Sequence, residues 1–317
     1  MTRLLIRLIA LAIVASLPIP LHAQKAAPLT EKISKSFKVG PSGTLDVANM
    51  SGDVVVTAGG TDTIVIDAVK KFRGPAAEAK DQFARVTIEM TERAGRVEAK
   101  TTYAARNTKV SVDYTVTAPA GTSVFAHSMS GDVKVTDIKG EVRIDTVSGD
   151  VTATGTPAAT LLRTMSGDAT ASGIDHQNEL RISTISGTVI LRSARARAVD
   201  ADSTSGDVAL TDVICDRALV KAFSGDITYS GSLAKAGRYE FKSQSGDVRI
   251  TLVGAPGFDL DASTFAGSVR SDFPVTLPAG QPVGGQGARK SLRGVVGSGG
   301  ATLSIKAFSG DITIVKK

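Results

Sequence analysis

The sequence predicts an all-β chain folded as a single-chain β-solenoid: parallel stacked coils of 18–21 residues, interrupted near the N-terminus by a strand, helix and meander insertion. Three observations predict it. Ser-Gly-Asp recurs at Ser51, Ser130, Ser148, Ser166, Ser205, Ser224, Ser245 and Ser309, with variants at Ser186-Gly187-Thr188 and Ala266-Gly267-Ser268. The residues on both sides of each copy alternate apolar and polar with a period of two, the signature of strands. The composition is rich in Gly, Ser, Thr, Val and Ala, with 4% aromatic residues and no Trp, which suits short strands and tight turns better than one bulky core.

In chain order, residues 1–23 read as a signal peptide. Arg3 and Arg7 form a basic start, an apolar run extends from Leu8 to Leu17, and Ala23 stands where a signal peptidase cuts. The run is shorter than the roughly 20 apolar residues a membrane helix needs, and no transmembrane segment is expected in the mature chain. The protein is therefore expected to be exported, and periplasmic, extracellular or at the cell surface. Residues 24–34 are expected to be a flexible N-terminus, and 35–58 the first coil. Residues 59–119 form a capping insertion: "TDTIVIDAVKKF" reads as a strand, "GPAAEAKDQFARV" as a short helix, and "VTIEM", "GRVEAKTTY" and "KVSVDYTVTAP" as a meander. It is expected to cover the open end of the solenoid, because bare coils expose strand edges. Residues 120–270 are the regular solenoid, 271–300 a Gly- and Pro-rich loop, and 301–317 the last coil.

Within the repeat, successive motifs from Ser130 to Ala266 are 18, 18, 20, 19, 19, 21 and 21 residues apart, one coil each. The positions six and four before the motif are mostly apolar (Leu45 and Val47, Val142 and Ile144, Leu303 and Ile305). The position two before is always small, as at Thr146, Thr164 and Ala222. The position three before is mostly polar: His127, Asp145, Arg163, Asp202, Lys221, Lys242, Lys306. After the motif, Val54, Val133, Val151, Val208, Ile227, Val248 and Ile312 share one position. Each coil thus offers one strand before the motif and one after, stacking in parallel about 4.8 Å apart with apolar ladders inside.

The motif itself reads as a corner. Glycine is invariant at Gly52, Gly131, Gly149, Gly167, Gly187, Gly206, Gly225, Gly246, Gly267 and Gly310, which points to a backbone with φ > 0. Asp53, Asp132, Asp150, Asp168, Asp207, Asp226, Asp247 and Asp311 alternate with one Thr and one Ser, all able to accept from a nearby backbone N–H and cap the turn. A row of stacked carboxylates could instead hold cations or act as a catalytic pair. The residue just before each motif should face outward by parity, yet eight of ten are apolar: Met50 and the candidate contact stripe Met129, Val147, Met165, Ile185, Phe223, Phe265 and Phe308. Either the corner tucks these side chains inward, or they form an exposed surface for a partner.

Little else carries chemistry. Removal of the signal leaves 35 basic and 31 acidic residues, a net charge of +4 too dilute to imply nucleic acid. Cys215 is the only cysteine, so no intramolecular disulfide forms, and it is expected to be a small buried apolar residue. "DHQNE" (Asp175 to Glu179) reads as a polar turn, and His127 as an outward strand residue. No catalytic, cofactor or metal site is expected. The tandem "SGDV.V" units, the strand–helix–meander insertion, the "TAPAGTSV" entry into the repeats and the terminal "FSGDITI" resemble a bacterial putative-adhesin family, a domain of unknown function. The resemblance covers roughly residues 35 to 317 and implies an exported β-solenoid without catalytic residues to carry over. The function expected is that of an adhesin-like or scaffolding module whose repeat surface binds an envelope protein or a surface glycan. Alternatives are a carbohydrate-binding or carbohydrate-active β-helix, such as a polysaccharide lyase or hydrolase, and an accessory to an envelope-sensing regulator.

Overall fold

The computed structural model describes residues 27–105, 107–254, 257–277 and 290–317. The expected signal peptide and residues 278–289 of the expected loop lie outside them. The fold is an all-β solenoid built mainly from parallel strands. Strand Ser123–Ser130 pairs in parallel with Thr44–Asn49 on one side and Val142–Ser148 on the other. Val133–Thr136 likewise lies between Val54–Ala58 and Val151–Thr154. The apolar ladders point inward: Leu45, Val124, Val142 and Leu180 form one buried file, and Val133, Val151, Val189 and Val208 another. Each such side chain contributes about 1.5–3 kcal/mol by leaving water, and the strand N–H and C=O groups pair with those of the neighbouring coils.

The coils have a further side that the two-strand reading did not contain. Strands Val189–Ser205 and Val208–Ser224 each run 17 residues. Each bends twice and supplies an extra paired stretch in which Ala194 and Ala196 lie beside Val213 and Cys215. The first bend falls seven residues after the motif Ser. Gly155 (φ +62°) and Gly173 (φ +71°) occupy it, and so do Asp137 (φ +57°), Ser193 (φ +50°) and Asp212 (φ +54°). Short polar side chains tolerate this left-handed geometry by bonding locally. The corner was therefore hidden by residue variety, whereas the first corner admits glycine alone.

At the N-terminal end, the insertion continues the sheets past the Ser51 coil. Arg96–Tyr103 pairs in parallel with Thr44–Asn49, and Val86–Arg93 follows antiparallel. Val110–Ala118 pairs with Val54–Ala58, and Thr63–Phe72 follows antiparallel. Helix Ala76–Ala84 starts after Pro75, and its Phe83 packs edge-on against Phe72 at 6.4 Å. Leu29–Lys38 is a strand paired with Thr63–Phe72, which corrects the expectation of a flexible segment over 24–34. Ile33 and Phe37 pack against the core there, while Lys70 binds Glu31 at 2.8 Å and Lys32 binds Asp67 at 3.0 Å.

At the other end, the order of coils departs from the order of the chain. Ala301–Ser309 pairs with the end of Ile227–Ser245 on one side and with Phe258–Ala266 on the other. Ile312–Lys316 likewise lies between Val248–Leu252 and Val269–Ser271. The coil that ends the sequence is therefore next to last in the stack, and the variant Ala266-Gly267-Ser268 coil is the outermost. The 43-residue step before Ser309 is the excursion this insertion requires. Part of the expected loop is also a strand: Ser291–Val296 runs antiparallel to Phe258–Ala266, burying Leu292 and Val296. It covers an edge that the terminal coil would otherwise expose.

Candidate functional site along the motif corner

Gly149 shows why the corner is invariant. Its φ is +127°, and a Cβ there would stand 2.3 Å from the carbonyl oxygen of Gly131 on the coil below. The same approach recurs up the stack, ending at Gly267, whose Cβ would meet the Gly310 oxygen at 2.1 Å. Backbone conformation and backbone-to-backbone contact exclude a side chain together.

The aspartates act between coils rather than within their own turn. The Asp150 N–H donates to Asp132 Oδ1 at 2.9 Å, and the Asp168 N–H donates to Asp150 Oδ1 at 2.8 Å. The Thr188 N–H donates to Asp168 (2.7 Å), and the ladder breaks there because Thr188 has no carboxylate; it resumes as the Asp226 N–H donates to Asp207 and the Asp247 N–H to Asp226 (2.8 Å each). It starts at Asp113 in the insertion, which accepts from the Asp53 N–H at 3.2 Å, and closes where Ser268 donates to Asp311. The Ser268 backbone N–H and then its hydroxyl hold the Asp311 carboxyl below the usual aspartate range. One oxygen of each laddered carboxylate is thus committed to its neighbour, so the row serves as a seam between coils. Asp113 escaped sequence reading because no Ser-Gly precedes it.

The small residue two before the motif fills the inside of the corner. Thr164 donates to the Gly149 carbonyl at 2.9 Å, Thr184 to Gly167 at 2.9 Å and Ser203 to Gly187 at 3.1 Å. With that space taken, the residue just before the motif has nowhere to tuck. Met165 is 46% exposed, Phe223 62% and Phe265 66%; Met129, Val147, Ile185 and Phe308 are exposed as well. The inward alternative is thereby overturned. In stack order the row reads Met50, Met129, Val147, Met165, Ile185, Thr204, Phe223, Gln244, Phe308, Phe265. It ends in a stacked pair, Phe265 and Phe308, with ring centres 5.0 Å apart and planes 9° apart. Lys290 stands 5.8 Å over Phe265.

Beside the row, on the same outward face, runs the charged file three residues before the motif. A shallow groove of about 550 Å³ lies between them around Met165 and Ile185, and another of about 440 Å³ lies around Phe223 and Phe308. The first is electrically balanced: Arg163 binds Asp145 at 3.0 Å and Arg181 binds Asp200 at 3.3 Å. The second is not. Lys221, Lys242 and Lys306 occupy directly paired positions on successive coils. Lys242 binds Glu240 at 2.5 Å, and among the described residues neither Lys221 nor Lys306 enters an ion pair. Sequence reading saw these lysines only as polar outward residues, because their alignment depends on which coil neighbours which.

The remaining expected features have ordinary places. His127 is exposed, and the His176 ring bridges the Ala159 carbonyl (2.8 Å) and the Asn178 N–H (3.0 Å) in its turn. Cys215 is buried beside Tyr229 and Tyr239, and burial pushes its thiol pKa up to about 12. Among the described residues no cluster of His, Cys, Asp or Glu has the arrangement to hold a metal ion, and no helix is long and apolar enough to cross a membrane.

The Toastrack DUF4097 family model matches residues 43–315, and the chain belongs to that family. No curated protein matches the chain. Similar solved structures include a putative adhesin from Bacteroides fragilis (14% identity, 90% of this chain and 97% of that one, TM-score 0.42). A putative lipid binding protein from Parabacteroides distasonis has 12% identity over 90% of this chain and 96% of its own, with a TM-score of 0.45. A putative adhesin from Parabacteroides merdae has 12% identity with the same coverages and a TM-score of 0.33.

Proposed function

We propose that this Toastrack-family chain is an exported, non-catalytic, adhesin-like solenoid that docks a component of the cell envelope along its corner row. The observation that carries the reading is the exposed file of Met, Ile and Phe side chains just before the motif. Isolated exposed apolar residues need no explanation, but a file that places an exposed apolar side chain on eight of ten coils does, because it costs solubility. The rest of the motif supports a scaffold role, since the glycines and aspartates are consumed in holding the coils together.

The test is binding of the purified mature protein to immobilised envelope fractions. The double variant Phe223→Ser/Phe308→Ser should lose most of the binding, while Thr228→Ser, outward on the strand after the motif, should retain it. Equal binding by both variants would remove the row from the function.

A further inference from the structure

We propose that the C-terminal part of the row, Phe223, Phe308 and Phe265 with Lys221, Lys242 and Lys306 beside it, is a contact for an anionic lipid surface. This inference rests on the reading of the row as the docking face and names what it docks. Three lysines in register on successive coils stand about 4.8 Å apart, an arrangement that like charges disfavour. Glu240 and Asp202 are the acidic groups at that wall, against Lys221, Lys242, Lys306 and, across the row, Lys290. Four lysines against two carboxylates, with Glu240 paired to Lys242 and Asp202 beside Lys221, leave a net-positive strip alongside an exposed apolar one. Their separation is two residues along one strand face, about 7 Å. An interface that presents anionic headgroups over acyl chains satisfies both strips at once.

Three features favour a lipid surface over a folded protein or a glycan. The apolar side chains stand out from a corner instead of lining an enclosed pocket, so they suit a fluid phase that needs no matching shape. The file runs along the stacking axis with one position per coil, so it offers an extended line of contacts rather than a single point. Its outermost pair stacks one ring face of each on the other while the rings stay largely exposed, a bulky apolar cap that suits burial among acyl chains. The lysines act together on the nearest acid: the Lys242 hydrogen bond holds the Glu240 carboxyl below its ordinary range, with Lys306 and Lys221 adding to it.

The experiment is co-sedimentation of the full mature chain with vesicles of phosphatidylglycerol mixed into phosphatidylcholine, against phosphatidylcholine alone. Wild type should bind the mixed vesicles and release at high salt. The triple variant Lys221→Gln/Lys242→Gln/Lys306→Gln should bind roughly a hundredfold more weakly, from about 1 kcal/mol per lysine at an anionic surface. Its melting temperature should equal or exceed that of wild type, since the lysines repel one another. Phe223→Ser/Phe308→Ser should weaken binding at unchanged salt dependence. Equal binding to both vesicle types, or no effect of the lysine variant, would overturn the proposal. If vesicles fail to bind while row-dependent capture by delipidated envelope protein persists, this inference falls and the docking role stands. If neither binds, both fall.

Discussion

Replacing Gly149 by Ala isolates the contact on which the stacking depends. The new Cβ has to be placed at φ +127° and 2.3 Å from the Gly131 carbonyl oxygen, a backbone atom of the next coil that cannot swing aside. The backbone strain is worth about 1–3 kcal/mol. Moving the carbonyl far enough weakens at least one inter-coil hydrogen bond, another 0.5–1.5 kcal/mol or so. The expected cost is about 3–4 kcal/mol, a large share of the roughly 5–15 kcal/mol that holds a typical domain together. Gly155→Ala supplies the internal control. Its φ of +62° is one that Asp137 adopts in the equivalent place, and its closest obstacle is the Asp137 carboxylate, a flexible side chain. That variant should cost about 1 kcal/mol. Urea unfolding followed by far-ultraviolet circular dichroism reads both. If Gly149→Ala costs no more than Gly155→Ala, close backbone approach is not the reason for the invariant glycine.

Asp150→Asn should be within about 0.5 kcal/mol of wild type because an amide oxygen still accepts the Asp168 N–H, whereas Asp150→Ala should lose about 1 kcal/mol in the same assay. Asp311 has a carboxyl pKa lowered by folding, so its contribution is present at neutral pH and is lost as pH falls through and below the ordinary aspartate range near about 4. Acid titration of Ser268→Pro, which lacks both Ser268 donors, should show a shallower loss of stability in that range. Cys215 should resist a thiol reagent in the folded protein and react at least about a hundredfold faster in urea, since burial both hides it and suppresses its thiolate. Deleting residues 301–317 should abolish cooperative unfolding of the end of the solenoid, because that coil lies between two others. A mild loss, as expected from trimming an outer coil, would contradict the stack order.

Much of the fold was legible in the residues, and what was missed has identifiable causes. The first corner announced itself because Gly149 and its equivalents leave no room for substitution. The second corner did not, since Asp137, Ser193 and Asp212 reach the same backbone geometry as Gly155. The strand over Leu29–Lys38 was masked by its charges: Lys32 and Lys38 face outward on an edge, and on the other face Lys35 stands between Ile33 and Phe37 and donates to the Met90 carbonyl, so only two apolar residues mark the buried side. The inversion of the last two coils could not be read from a repeat period, because both orders stack equally similar strands. The corner row was visible as a column of apolar residues, but its exposure depended on the hydroxyls of Thr164, Thr184 and Ser203 occupying the inside of the turn. The lysine file needed the corrected order, which places Lys306 directly beside Lys242.

The measurement that bears most directly on the working surface is site-specific photo-crosslinking in the native envelope. A photoreactive phenylalanine analogue is placed at Met165, Phe223 or Phe308 on the corner row, and at Thr152 or Thr228 on the face after the motif. The row positions should yield crosslinked adducts to a common component, and the other face should yield few. Adducts from Thr152 and Thr228, with none from the row, would show that the protein works through a different surface.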